Sequence, residues 1–266
     1  MPPKKRTSSK RKAGSRRKRW RKVWKARKWK LICFIVVAVS FLPVTISTIA
    51  IICNKHVRPD RHTIVSKDYN GIDVSRYQGR IDWPTVARDR KIQFVYIKAT
   101  EGATHHDRTY DRNIRGARRE GILVGSYHFF MADKTARQQF DNFKRHVDRG
   151  YQDLIPMVDV EDGGIRGRSP EQLRATLAEL MELMKAEYGR YPLLYCQYSV
   201  YIHYLHPDFG RYYLFVARYS PNAPTLPGST RCNIWQYSEH GHIEGIKGEV
   251  DLDRFINGTT IEILKL

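Results

Sequence analysis

Short apolar runs separated by polar segments recur along the chain after residue 67. Eight runs have the length of strands, and they occupy residues 71–75, 92–100, 122–130, 154–161, 191–199, 212–220, 232–238 and 249–255. Five segments between them place their apolar residues on one helical face, at residues 82–89, 108–120, 134–149, 169–187 and 199–206. Alternating strands and helices predict a parallel sheet, and eight strands in one domain predict a closed barrel. We therefore expect an α/β fold, a TIM-like barrel with eight strands and about five helices in the order (β/α)5(β)3.

A longer apolar run precedes the barrel. Residues 31–53 comprise 23 residues without a charge, and a helix of roughly 20 apolar residues spans the hydrocarbon core of a bilayer. The run is longer than the apolar region of a signal peptide, which has about 7 to 15 residues and ends at small residues. It predicts one N-terminal transmembrane helix, joined by a linker at residues 54–67 to a barrel domain at residues 68–266.

The formal net charge of +20 is concentrated at the amino terminus. Residues 1–30 contain 16 Lys or Arg and no acidic residue, whereas the other 236 residues contain 31 basic and 27 acidic residues. Positive flanks of a membrane span stay in the cytoplasm, so we expect a disordered cytoplasmic tail at residues 1–30 and the barrel across the membrane. Binding of the tail to anionic lipid head groups stays open. No nucleic-acid partner is expected, because a soluble nuclear protein would not carry the apolar run.

The four cysteines indicate no zinc site. Cys33 and Cys53 bracket the long apolar run, and Cys196 and Cys232 lie in predicted strands. A Cys-x-x-Cys pattern is absent from the sequence, which argues against zinc. An exported domain permits disulfides, but a whole strand is predicted between Cys196 and Cys232. We therefore expect two buried thiols.

The most informative acidic residues end the fourth predicted strand. Catalytic groups of β/α barrels lie at the carboxyl ends of the strands, where Asp159 and Glu161 are found. Residues i and i+2 of a strand point to one face, so both carboxyl groups would enter the barrel mouth, about 6 to 7 Å apart along the strand. Their repulsion favours a proton on one of them, and an acid beside a carboxylate is what glycoside hydrolysis requires. Alternatively, they cap the next loop or pair with Arg166 or Arg168.

Further acidic residues join this pair if the barrel closes. Asp73 ends the first strand and Asp251 lies on the eighth, and these strands are neighbours in a closed barrel. Both acids would therefore flank one side of the mouth. Asp253 shares the face of Asp251 and is an alternative to it. Asp162 has the opposite parity to the pair on the fourth strand, so we expect a turn residue there.

Polar and aromatic residues near the other strand ends are candidates for substrate contact. Aromatic rings offer faces for stacking on sugars, although they also pack barrel interiors. The candidate substrate-binding residues are Glu101, Tyr127, Tyr195, Gln197, Arg218, Tyr219 and Trp235. His128 is interpreted as a structural residue, and His105 and His106 as loop residues that are solvated or contact substrate. The histidines show no ligand-like pair at helical spacing beside an acid, so we expect neither a metal nor another cofactor.

Six motifs in order resemble one known family. They are GIDVS at 71–75, YIKATEG at 96–102, GSYHF at 125–129, MVDVE at 157–161, IWQYS at 234–238 and VDLDRF at 250–255. In combination they closely resemble glycoside hydrolase family 25, the Chalaropsis-type lysozymes, over about residues 69–255.

The resemblance implies an N-acetylmuramidase that hydrolyses the β-1,4 bond between N-acetylmuramic acid and N-acetylglucosamine in peptidoglycan. It also implies a flattened barrel of eight strands and five helices. Among the site residues, Glu161 is similar in position to the family's general acid and Asp159 to its partner. Asp73 and Asp251 match the other two acidic positions of the family's site.

Several alternatives stay open beside this interpretation. The Asp-x-Glu pair resembles that of enzymes in which the substrate's 2-acetamido oxygen attacks the anomeric carbon with retention, and the rival is direct attack of water with inversion. A non-catalytic glycan-binding or scaffold barrel, or a glucosaminidase or chitinase, is the alternative function. With the predicted anchor, we expect a monomer in a bacterial cytoplasmic membrane, with its N-terminus inside and its barrel facing the cell wall, that remodels the cell's own peptidoglycan.

Overall fold

Eight hydrogen-bonded strands close into a barrel in the computed structural model, which describes residues 68–266. A further strand of two residues extends the sheet as a small hairpin beside β2. In chain order the strands are β1 Gly71–Val74, β2 Phe94–Glu101, β3 His105–His106, β4 Leu123–Phe129, β5 Met157–Val160, β6 Leu193–Gln197, β7 Leu214–Ala217, β8 Cys232–Gly241 and β9 Val250–Phe255. All eight predicted strands are confirmed, and the hairpin strand β3 was not predicted.

The barrel strands of this described region run parallel, except for β9. Their order around the barrel is β1-β2-β4-β5-β6-β7-β8-β9, and β9 closes the ring by pairing antiparallel with both β8 and β1. Only eight residues, 242–249, connect β8 to β9, whereas a parallel crossover needs a dozen or more. The expectation of a parallel sheet is therefore wrong for β9, whose start rather than its end lies at the barrel mouth.

Helices surround the barrel at the predicted positions. Those of the described residues are α1 Trp83–Val86, α2 Tyr110–Arg119, α3 Ala136–His146, α4 Asp162–Ile165, α5 Pro170–Tyr188 and α6 Tyr198–Val200, the last continuing into a π-helical turn, Tyr201–Leu205. Single 3-10 turns are present at Arg76–Gln78, Arg149–Tyr151 and Ile261–Leu264. Helices α1, α2, α3, α5 and α6 confirm the five predicted helical segments, and the short helix α4 is an addition.

Helix α5 lies within one residue of its predicted segment, 169–187, at each end. The Ser169 hydroxyl accepts a hydrogen bond from the Gln172 backbone N–H at 3.3 Å, and the Gln172 side chain accepts one from the Ser169 N–H at 3.2 Å. This capping box is followed by Pro170 in the first turn. Gly189 ends the helix in the left-handed region, with φ of 80°. The resulting helix packs beside α3 on the outside of the barrel.

Aromatic rings fill the lower interior of the barrel. Phe94 and Tyr96 on β2 reach across to neighbouring strands that carry glycine opposite them. A Cβ atom at Gly71 would lie 2.3 Å from the Phe94 ring, and one at Gly125 would lie 2.4 Å from the Tyr96 ring. The Tyr96 hydroxyl donates a hydrogen bond to the Ile155 carbonyl at 3.1 Å. A second apolar core lies between the strands and the helices.

One of the remaining predictions about the domain is confirmed, and three others concern residues outside the described part of the chain. Cys196 and Cys232 are buried free thiols, and β7 lies between their strands as expected. Within residues 68–266, none of the helices combines the length and the apolarity that a membrane crossing requires. The predicted tail at 1–30, transmembrane helix at 31–53 and linker at 54–67 lie outside the described residues.

Candidate active site

A cavity of about 280 Å³ opens at the mouth of the barrel, at the carboxyl ends of the parallel strands. Five carboxyl groups of the described residues line it, from Asp73, Asp159, Glu161, Glu239 and Asp251. The other lining residues are Val74, Ser75, Tyr77, Gln78, Lys98, Tyr127, Phe129, Met157, Tyr195, Gln197, Tyr219 and Gln236. All four acids predicted to be catalytic thus share one cavity with four of the seven predicted substrate-binding residues.

Asp159 and Glu161 enter the cavity from the end of β5. The period of the strand places them on one face, whereas Val160 is fully buried in the core between strands and helices. Burial, followed by the charge of Glu161, raises the pKa of Asp159 well above its usual range. Burial also raises the pKa of Glu161, against a hydrogen bond from Tyr195 and the charge of Lys98.

Asp159 and Glu161 repel each other at the end of β5, and this repulsion favours a proton on one of them. Asp159 is 5% exposed, whereas Glu161 is only partly buried. One oxygen of Asp159 has no hydrogen-bond partner among residues 68–266. Burial alone therefore favours the proton on Asp159. The opposite distribution, with the proton on Glu161, needs a positive charge near Asp159.

Asp73 and Asp251 face each other across the pair of strands that closes the barrel. They are direct partners in the antiparallel register of β1 and β9, which confirms that they flank one side of the mouth. The two side chains share a hydrogen bond, so one of them carries a proton. Burial, followed by the charge of Asp73, raises the pKa of Asp251 to about 9. Burial also raises the pKa of Asp73 well above its usual range, but the shared hydrogen bond lowers the pKa of Asp73 and raises that of Asp251, which favours the proton on Asp251.

Asp253 lies below the cavity rather than beside it. It is fully buried, opposite Gly71 on β1 and Gln236 on β8. Neither of its carboxyl oxygens has a hydrogen-bond partner within residues 68–266. Burial, followed by the charge of Asp251, raises the pKa of Asp253 well above its usual range. Of the two alternatives on β9, the structure therefore places Asp251 at the mouth and Asp253 in the interior below it.

Gln236 connects opposite sides of the mouth. Its Oε1 accepts hydrogen bonds from the hydroxyls of Tyr195 at 2.9 Å and Tyr219 at 2.7 Å. Its Nε2 donates to Oδ2 of Asp73 at 2.7 Å. Because the two phenols donate to the oxygen, the amide is oriented with its NH2 group towards the carboxylate. The Tyr195 hydroxyl has one proton, so it donates to Gln236 or to the Glu161 carboxylate, one at a time.

Three predicted substrate-binding residues do not line the cavity. Trp235 lies on the outward face of β8, because its neighbour Gln236 lies on the inward face. The Nε1 of Trp235 donates a hydrogen bond to the Arg218 carbonyl at 2.8 Å. Arg218 likewise has the outward parity after β7, and its guanidinium lies 4.8 Å from the Tyr198 ring centroid. Glu101 forms an ion pair with Lys98 at 2.8 Å. The physical reason in the first two cases is the period of two, which sends alternate residues to the helix layer.

The histidines of the strand ends lie outside the cavity as well. His128 is fully buried, with Nδ1 at 2.7 Å from Oγ1 of Thr100 and Nε2 at 3.1 Å from Oε1 of Gln139. Burial lowers the pKa of His128 to about 4, so the ring is neutral at pH 7. This supports its structural interpretation. His105 and His106 form β3 and do not line the cavity.

Lys98, Gln236, Glu239 and Tyr77 line the cavity without having been predicted as site residues. Lys98 is the only cationic side chain among the described lining residues. Parity along the strands offered a signal for Lys98 and Gln236, because each shares its face with residues of the interior. Tyr77 lies in the 3-10 turn after β1 and is 76% exposed at the rim, where strand parity gives no signal.

This arrangement can perform acid-assisted chemistry on a neutral polar chain. Carboxyl groups that hold protons lie beside carboxyl groups that can carry charge, as glycoside hydrolysis requires. Phenol groups at the wall supply hydrogen bonds and flat faces for sugar rings. Among residues 68–266, His, Cys, Asp and Glu side chains do not gather into a group of three or more that could hold a metal ion.

Comparison with known proteins gives a consistent family. A family model described as glycosyl hydrolases family 25 matches residues 72–246. Lysozyme M1 of Streptomyces globisporus is 32% identical over 227 aligned residues, which cover 78% of this chain and 75% of that protein. Among solved structures, a family 25 glycosyl hydrolase from Bacillus anthracis is 29% identical with a TM-score of 0.66, covering 73% of this chain and 90% of that chain. A lysozyme from Streptomyces coelicolor is 30% identical with a TM-score of 0.65, covering 72% and 93%.

Proposed function

Because the chain belongs to glycosyl hydrolases family 25, we propose that its barrel mouth cleaves the β-1,4 bond between N-acetylmuramic acid and N-acetylglucosamine, with Glu161 as general acid. The chain is a glycosidase of the lysozyme class that acts on peptidoglycan. The observation that carries the assignment of residues is the convergence of five carboxyl groups on one cavity, two of them on the same face of β5. Asp159 is the partner of Glu161, and Asp73 and Asp251 complete the acidic set.

The proposed roles follow from position and charge. Glu161 is the more accessible acid of the β5 pair, so it can reach and protonate the leaving glycosidic oxygen. Asp159, deeper in the cavity, lies where a negative charge would orient the 2-acetamido group and stabilise positive charge as the bond breaks. Gln236 holds Asp73. Tyr127, Tyr195, Tyr219 and Gln197 form walls for the sugar rings.

Substitution of Glu161 tests the assignment of the general acid. We expect Glu161→Gln to lower turbidity clearing of purified peptidoglycan by about 10² to 10⁴-fold, the usual contribution of a general acid. Asp162→Asn is the matched control, because Asp162 is an adjacent exposed acid that does not line the cavity. Equal activity of Glu161→Gln and wild type would defeat the assignment.

Mass spectrometry of the released fragments tests which bond is cleaved. A muramidase leaves N-acetylmuramic acid at the new reducing ends, whereas a glucosaminidase leaves N-acetylglucosamine. We expect only the former. Fragments with N-acetylglucosamine ends would overturn the proposed bond, and peptidoglycan left intact by a folded chain would favour a glycan-binding or scaffold function.

We further propose substrate assistance with retention of configuration. The two acids of β5 lie next to each other on one strand, an arrangement that suits an acid and an amide-orienting carboxylate better than two groups on opposite sides of the bond. Proton NMR of the first product should therefore show the β-anomer before mutarotation. An initial α-anomer would identify direct attack of water with inversion.

The membrane-anchored form is also a proposal. It is supported by the 23 uncharged residues 31–53 and by the basic residues before them. The chain would be a monomer in a bacterial cytoplasmic membrane with its barrel on the cell-wall side. Deletion of residues 31–53 should move the chain from the alkaline-extracted membrane pellet to the soluble fraction. An unchanged distribution would exclude the anchor.

A further inference from the structure

Lys98 brings a single buried positive charge to the acidic mouth. It lies on the inward face of β2 and is 6% exposed. The pairing of β2 with β4 shifts between Lys98 and Thr100, and such an irregularity re-aims the side chains around it. The ammonium is held by the Glu101 carboxylate at 2.8 Å and lies 4.5 Å from the Phe129 ring centroid. It is therefore fixed in place.

The charged and titratable groups around Lys98 come from every wall of the mouth. Asp159 and Glu161 on β5 feel its charge directly, and Glu101 balances part of it from β2. The other titratable groups that face the mouth are Asp73, Tyr127, Tyr195, Tyr219, Glu239 and Asp251. The Lys98–Glu101 pair also has three charged or titratable neighbours that do not line the cavity, namely Arg76, His105 and His128.

The proposed mechanism needs the proton on Glu161 and the charge on Asp159, whereas burial favours the reverse. Asp73 and Asp251 oppose a negative charge on Asp159, whereas the charge of Lys98 favours the ionised form of both acids of the pair. The Lys98 ammonium contacts Glu101 and Phe129, which are at the level of Asp159 in the register of β2, β4 and β5, two residues before Glu161. Its position therefore favours the charge on Asp159 more than the charge on Glu161. We propose that Lys98 is a positioning residue, whose ammonium, fixed by Glu101 and Phe129, holds the negative charge of the pair on Asp159 and thereby leaves the proton on Glu161. This inference rests on the proposed function and extends it to a residue that does not itself touch the reacting atoms.

The test is the pH profile of kcat/KM for full-chain Lys98→Met on a soluble glycan strand. An opposite charge within about 4 to 6 Å lowers the pKa of a carboxyl group by about 1 to 3 units. Removal of the Lys98 charge should move the ascending limb of the profile to higher pH by about one pH unit or more. At a given pH on the acidic side, this shift corresponds to about tenfold lower kcat/KM. Lys98→Arg keeps the charge, and its ascending limb should stay at the wild-type pH.

Substitutions of the partner carboxylate sharpen the test through the sign of the effect. Glu101→Gln removes the negative charge that partly neutralises the Lys98 ammonium. The ascending limb of the Glu101→Gln profile should therefore stay at the wild-type pH or move to lower pH, whereas the limb of Lys98→Met should move to higher pH. The double variant Lys98→Met/Glu101→Gln has no unpaired charge left from the pair, which protects its folding. Its limb should lie between those of the wild type and Lys98→Met. Circular dichroism confirms that each variant is folded.

The possible outcomes separate this inference from the proposed function. A wild-type ascending limb in both Lys98→Met and the double variant, with or without a higher KM, would overturn the positioning role. A limb that moves equally in Lys98→Arg would show that shape rather than charge matters, and would overturn it too. Failure of the wild-type chain to release fragments ending in N-acetylmuramic acid would instead reject the proposed function itself.

Discussion

Replacing Asp251 by Asn should stabilise the fold at neutral pH while removing a residue of the site. Burial and the charge of Asp73 raise the pKa of Asp251 from the usual 3.8 to about 9. The folded chain must therefore keep a proton on Asp251 that the unfolded chain has released above pH 4. Asparagine needs no such proton, and its NH2 group can still donate the hydrogen bond to Asp73.

The sign and size of the effect follow from proton linkage. Between the unfolded and folded pKa values, the folded state binds one more proton, so the free energy of unfolding falls by about 1.4 kcal/mol for each pH unit. From pH 4 to pH 7 the wild type loses at most about 4 kcal/mol through this group, and the Asn variant does not. For a domain of this size, about 4 kcal/mol corresponds to roughly 8 to 16 °C in Tm.

Thermal unfolding followed by circular dichroism at pH 4, 5, 6 and 7 measures this difference. We expect the Tm values of wild type and Asp251→Asn to coincide near pH 4 and to diverge progressively towards pH 7. Asp162→Asn, an exposed acid, is the control and should stay within about 0.5 kcal/mol of the wild type. A difference in Tm that does not change with pH would refute a protonated Asp251 in the folded state.

Two further predictions concern the stretch around β5. Asp159→Asn should lower lysozyme activity by at least about 10²-fold, because it removes the partner of the general acid, whereas Asp162→Asn should keep most of the activity. Activity assays on peptidoglycan compare the two variants. Equal losses of activity would contradict the argument from strand parity. Gly164→Ala should destabilise the chain by more than about 1 kcal/mol, because its Cβ would lie 2.0 Å from the Phe130 carbonyl oxygen. Gly163→Ala, whose Cβ would lie 3.6 Å from its nearest neighbour, is the control, and equal Tm values for the two variants would refute the clash.

Periodicity predicted the elements well because each strand and helix has a clear apolar pattern. The apolar face of residues 169–187 located helix α5 to within one residue at each end, and the Asp-x-Glu spacing located the acid pair at the end of β5. These features are local, so residues within one or two turns of each other decide them. Closure of the barrel then predicted that Asp73 and Asp251 flank one side of the mouth, and their register confirms it.

The features that the sequence did not predict depend on the direction of a strand and on which of its residues face the barrel interior. The reversal of β9 follows from the length of one connection, and it decides that Asp251 rather than Asp253 lies at the mouth. Trp235 is predicted to contact substrate as an aromatic residue near a strand end, whereas the cavity is lined by its neighbour Gln236. A strict count of parity along β8 would have favoured the glutamine. The ion pair between Lys98 and Glu101 depends on a local irregularity of β2 that no residue pattern marks.

The closure of the barrel by its last strand has a consequence for when the site forms. Asp73 comes from the first strand and Asp251 from the last, so the acidic set is assembled from both ends of the barrel sequence. The site is completed only when residues 250–255 pair with β1. A chain that stops before residue 250 lacks one of the four predicted catalytic acids, and we expect it to be inactive on peptidoglycan.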